Sequence, residues 1–173
     1  TQGDTERIIG NWIKKSPSKR DKVVLATKII GKGFENIRNG KPISPEGIKF
    51  AVNESLKRLK TDYIDLYQLH WPNRGSYHFR QHWDYDPSKQ DTKNIINEIP
   101  LIVDTLYNLK VQGKIRAFGL SNETSWGVMQ FILAAKNYRN FPVTSIQNEY
   151  SLLCRHYDTD MSELSHNENI PLI

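Results

Sequence analysis

The run Leu56-Lys57-Arg58-Leu59-Lys60-Thr61-Asp62-Tyr63-Ile64-Asp65-Leu66-Tyr67-Gln68-Leu69-His70-Trp71-Pro72 holds the end of a helix and a whole strand. Upstream of Lys60, Ile48, Val52, Leu56 and Leu59 recur at spacings of four, four and three, which makes one apolar stripe on a helix. Ser44 can cap that helix, with Pro45 at its first position. From Tyr63 the pattern becomes a short apolar strand that stops on His70, and Trp71-Pro72 closes it.

Three other stretches repeat the same form, an apolar strand ending on a polar residue. They are Val23-Val24-Leu25-Ala26-Thr27-Lys28, Arg116-Ala117-Phe118-Gly119-Leu120-Ser121-Asn122 and Thr144-Ser145-Ile146-Gln147. The consecutive apolar residues of the first suit a strand buried on both faces. Helical patterns fill the gaps. Asp4 or Thr5 can cap a first helix with Ile8, Ile9, Trp12 and Ile13 on one face. A further helix is expected to open near Pro100, carry Val103, Leu106 and Leu109, and stop at Gly113. Thr124 caps another through Trp126, Met129 and Leu133. A weaker amphipathic stretch covers residues 157–167, and Ile170-Pro171-Leu172-Ile173 begins a fifth strand. Alternating strand and helix imply a parallel sheet with right-handed crossovers. In a parallel barrel the carboxyl ends of the strands converge on one mouth, where chemistry is done.

Residues 31–43 and 73–94 read as loops; the latter is long for a connection and suits a lid over a site. Its aromatics Tyr77, Phe79, Trp83 and Tyr85 can wall an apolar pocket. The 173 residues, 38% hydrophobic, are enough for one domain with a sizeable core. No apolar run approaches the roughly 20 residues that span a bilayer, and the N-terminus has no signal-peptide pattern. The single cysteine, Cys154, suits a reducing compartment, and a cytoplasmic location is expected. The net charge is +5, and the densest basic stretch, residues 14–22, sits where a helix should end. Aromatics are not interleaved there, so the stacking half of a nucleic-acid site is missing. His78 and His82 invite a metal reading, but that spacing serves one metal on a helix, and this stretch has no helical period.

Leu25-Ala26-Thr27-Lys28, the Leu56 to Pro72 run, Gly113-Lys114-Ile115-Arg116 leading to Gly119-Leu120-Ser121-Asn122-Glu123-Thr124, and Gln147-Asn148-Glu149-Tyr150-Ser151-Leu152-Leu153 occur in that order. Together they resemble the aldo-keto reductases across nearly the whole chain. The resemblance implies an α/β fold, an incomplete (β/α)8 TIM barrel with about five of eight parallel strands, from the third to the start of the seventh. Residues 1–173 would then be part of one barrel domain within a larger protein.

The resemblance also implies a reductase that passes hydride from NADPH to a small aldehyde or ketone. Lys28 matches the lysine whose charge lowers the pKa of a proton-donating tyrosine. His70 matches the histidine that hydrogen-bonds the carbonyl. Ser121, Asn122 and Gln147 match residues that bind the nicotinamide carboxamide. The family's tyrosine and aspartate lie on a motif ahead of the first helix. Tyr63, Tyr67 and Tyr150 do not occupy it, so the isolated chain is expected to be inactive and unstable. Two other classes compete: a non-catalytic nucleotide-binding relative, and a metal-dependent barrel hydrolase.

Overall fold

The computed structural model describes residues 3–173. Its centre is a sheet of four parallel strands in sequence order: β1 (Ala26–Ile29), β2 (Ile64–Leu69), β3 (Ile115–Ser121) and β4 (Val143–Gln147). The helices are α1 (Asp4–Lys15), α2 (Pro45–Leu59), α3 (Thr92–Val111), α4 (Ser125–Ala135) and α5 (Met161–Asn167). The chain thus forms a parallel α/β arc of the (β/α)8 kind. Leu172 bridges Ile146 in parallel, so the expected fifth strand begins with one pairing beside β4.

The two faces of the sheet differ in chemistry. Alternation along each strand sends successive side chains to opposite sides. Ile29, Tyr67, Leu69, Phe118, Leu120 and Ile146 belong to the core beneath the helices. Leu69 and Leu120 share a small apolar cavity with Ile95, Ile99 and Ile102 of α3 and Phe131 of α4. Lys28, Gln68 and Gly119 are register partners on the other face, and Ser121 pairs with Gln147 there. One extra residue enters β4 between its pairings: Phe118 lies opposite Val143, but Leu120 lies opposite Ile146.

Local chemistry explains most element ends. Ser44 Oγ accepts from Gly47 N at 3.1 Å to cap α2, Pro45 follows, and Ile48, Val52 and Leu59 are buried as the stripe requires. Thr124 Oγ1 accepts from Gly127 N at 3.3 Å to cap α4.

Four expectations need correction. Residues 23–25 lie outside β1, and Val24 is 81% exposed. A 3-10 turn over Pro17–Lys22 precedes them, and β1 is an edge strand with one covered neighbour, so its burial is partial. Helix α1 is capped by Gly3, with Asp4 in its first turn, and Ile8 faces out while Gly10 and Ile13 are buried. Helix α3 starts at Thr92 with Asp91 as cap, and Pro100 lies inside it on the exposed side. The apolar positions Ile95 and Ile99 extend the stripe upstream of the proline. In α4 nearly every residue is apolar, so the period is ambiguous. Val128, Phe131, Ile132 and Ala135 face the core, whereas Trp126 and Leu133 are exposed.

Candidate active site

Lys28, His70, Ser121, Asn122 and Gln147 come from all four strands and line one cleft of about 390 Å³ at their carboxyl ends, with Phe79, Asn148 and Glu149. The pairing of the strands explains this. Lys28 lies beside Gln68, and His70 follows two residues later on the same face. Ser121 and Gln147 pair directly.

Lys28 is half-buried, and desolvation holds its ammonium below the usual lysine value. His70 is also half-buried. Burial first, and then the Lys28 charge, push its imidazole below the usual histidine value. The ring is therefore neutral near pH 7, able to donate from one nitrogen and accept at the other. Its backbone is held from both sides: His70 N donates to Ile29 O at 2.8 Å, and His70 O accepts from Asn122 Nδ2 at 2.9 Å. Trp71 lies 4.7 Å from the His70 ring, and Phe79 stands edge-on at 6.4 Å.

Asn122 does not cap α4. It sits at φ 49°, in the left-handed region that asparagine tolerates, and turns the chain out of β3. Its amide N donates to Gln147 O at 3.0 Å, and its carbonyl accepts from Ser76 Oγ at 3.0 Å. Its Nδ2 donates both to His70 O and, at 3.1 Å, to Ser121 Oγ. Both side-chain donors are thus used within the protein. Gln147 shows the opposite pattern: its Oε1 accepts from Gln68 Nε2 at 3.1 Å. Asn122 Oδ1 and Gln147 Nε2 have no hydrogen-bond partner among the described residues. One acceptor and one donor are left on residues that line the same cleft. That is the complement of a primary carboxamide, which carries one carbonyl oxygen and one NH2.

Several supporting residues escaped the strand-end reading. Asn148 bridges Glu123 like a strand partner, accepting from its N at 3.3 Å and donating to its O at 3.1 Å. Glu123 pairs with Arg74, whose Nη1 lies 3.1 Å from Glu123 Oε2 and whose Nη2 reaches Glu123 Oε1. His78, considered above as a metal ligand, is buried with Nε2 3.2 Å from Glu123 O. His82 is exposed instead, its ring 5.3 Å from His156. Among the described residues no group of three His, Cys, Asp or Glu side chains is arranged to hold a metal ion. Of the loop aromatics, Phe79 lines the cleft, Tyr77 and Tyr85 pack edge-on at 5.9 Å, and Trp83 is 88% exposed. The sequence signals for the missed residues were present: Asn148 adjoins Gln147, and Gln68 interrupts an apolar strand on the face of His70.

Protein tas of Escherichia coli strain K12 is 38% identical over 176 residues, covering 100% of this chain and 49% of the relative. An aldo-keto reductase of Babesia bovis is 44% identical over 141 residues, covering 78% of this chain and 49% of its own length. The chain therefore spans about half the length of these curated relatives. The fold matches a crystal structure of a thermostable aldo-keto reductase in complex with the inhibitor epalrestat. The TM-score is 0.70 at 22% identity, over 98% of this chain and 49% of that one. The model of the aldo/keto reductase family matches residues 1–173, so the chain belongs to the aldo/keto reductase family.

Proposed function

We propose that the full-length protein is an NADPH-dependent reductase of aldehydes or ketones, and that the cleft at the strand ends holds the nicotinamide end of the cofactor. The observation that carries this reading is an unpaired acceptor on Asn122 and an unpaired donor on Gln147, residues that share a cleft with Lys28 and His70. NADPH, when bound, supplies the hydride. Ser121, Asn122 and Gln147 orient the carboxamide, and with it the face of the ring. His70, held neutral, donates a hydrogen bond to the substrate carbonyl, where negative charge develops as hydride arrives. The Lys28 ammonium favours the ionised form of a proton-donating hydroxyl beside it. Residues 73–94 shape access as a lid, with Phe79 and Trp71 as an apolar wall against which a small carbonyl compound packs.

The test is NADPH oxidation by the full-length protein with 4-nitrobenzaldehyde, repeated with Lys28→Met and His70→Ala. Each variant is expected to lose at least about a hundredfold in kcat/KM, the usual size of a general acid–base contribution. Unchanged turnover in both would remove the assigned roles. Nucleotide binding without turnover in the wild type would favour a binding module over a reductase.

A further inference from the structure

Gln68 and Gln147 lie on β2 and β4, which are not neighbours, yet their side chains meet at 3.1 Å. The strand between them allows this at one point. Gly119 of β3 is the register partner of Gln68, and as a glycine it puts no side chain of its own on the cleft side of the sheet. A Cβ at Gly119 would stand 2.5 Å from Ser145 Oγ, 3.1 Å from Ser145 O and 3.4 Å from Leu66 Cδ1, so the position admits no larger residue unless Ser145 shifts. Gln68 is itself 1% exposed, held on a strand buried along its whole length.

We propose that Gln68, reaching across Gly119, fixes which end of the Gln147 amide faces the cleft and so acts as a positioning residue for carboxamide recognition. A glutamine amide can turn end for end, exchanging its donor for its acceptor. The Gln68 Nε2 donor faces Gln147 Oε1, which turns Gln147 Nε2 outward. With the amide reversed, Gln147 and Asn122 would present two acceptors, and a carboxamide oxygen would lose the Gln147 donor. Gln68 touches neither substrate nor cofactor. Its effect passes entirely through Gln147.

The inference rests on the nicotinamide reading above, and the experiment separates the two. Dissociation constants are measured on the full-length protein for NADPH, for its thionicotinamide analogue and for 2′,5′-ADP. The analogue keeps the NH2 group but replaces the carbonyl oxygen with sulfur, a weak acceptor. Gln68→Met should narrow the preference for NADPH over the analogue by about two- to tenfold, the size of one hydrogen bond. Affinity for 2′,5′-ADP, which lacks the ring, should not change. In a Gln147→Met background the same substitution should leave the preference unaltered. Gln68→Glu, assayed at pH 8, keeps the side-chain length but presents acceptors, and should weaken NADPH further than Gln68→Met; either variant alone decides the matter. A purely structural role would weaken all three ligands together. Wild-type preference in whichever Gln68 variant folds would overturn the inference alone. A wild-type protein that binds neither NADPH nor 2′,5′-ADP would overturn the cofactor reading and the inference with it.

Discussion

Arg74 and Glu123 form an ion pair in which both side chains are nearly withdrawn from water, at 7% and 3% exposure. The pair ties the loop after β2 to the turn after β3. Arg74 Nη2 also reaches Thr124 Oγ1 at 3.1 Å, and Thr124 N donates to Glu123 Oε1 at 2.7 Å. Removing one partner strands a buried charge, whereas removing both does not. Arg74→Met or Glu123→Gln is expected to cost about 3–5 kcal/mol of unfolding free energy. The Arg74→Met/Glu123→Leu double variant should cost less than either single one, as denaturant titration of the protein would read.

Gly127 makes room for that pair. A Cβ at this position would fall against Glu123 Oε1 and Arg74 Nη2, two atoms fixed by their own bonds. Gly127→Ala should therefore destabilise by about 1–3 kcal/mol as an overpacked site, although alanine is the better helix former. In an Arg74→Met background the guanidinium no longer crowds the position, and the penalty should shrink. Calorimetric melting of the four proteins gives the coupling.

At the opposite end of the strands, Asp65 lies between Arg20 at 2.9 Å and Arg116 at 2.7 Å, and accepts from Leu25 N at 2.9 Å. Burial alone raises its pKa, but the Leu25 amide and the two guanidiniums outweigh burial and leave it below the usual aspartate value of 3.8. The stability it contributes is fully present above pH 3.8 and is lost as pH falls through the lower folded value. The stability gap between wild type and Asp65→Asn should thus be flat above about pH 5 and close at lower pH. Chemical denaturation from pH 3 to 7 would check it.

His70 gives a second pH dependence, of opposite chemistry. Its folded pKa lies below the ordinary 6.5, so the neutral ring is fully formed above that pH and is lost as pH falls through the depressed value. The pH profile of kcat/KM should be level above pH 6.5 and bend only below it, where the ring takes up its proton. Lys28→Met removes the charge but not the burial, so it should raise the His70 pKa only part of the way back. Imidazole NMR titration of the full-length protein reads that shift directly.

Much of the fold was legible because helix and strand periods are local. The α2 stripe, its Ser44 cap and the four strand ends could be read from residue order. The failures have physical causes. Pro100 reads as a helix start, yet on an exposed face it is accommodated within α3. A largely apolar α4 offers no clear period from which to choose its buried face. In the candidate site, the strand-end residues were visible and their supports were not. Arg74, Ser76 and His78 lie in a loop without periodicity, about fifty residues from the turn they hold, and no local rule connects the two.

The extra residue in β4 has a consequence for how this family member can vary. Side chains on a strand obey an odd–even rule, and an inserted residue reverses the parity of everything after it. Counted straight from the Phe118–Val143 pairing, Ile146 would stand opposite Ser121 and point into the cleft, with Gln147 turned towards the helices. The one-residue insertion reverses both. Deleting Thr144 removes that extra residue, so Ile146 and Gln147 should stay opposite Leu120 and Ser121 in an unbroken ladder, and the cleft should keep its polar wall while β4 loses its local kink.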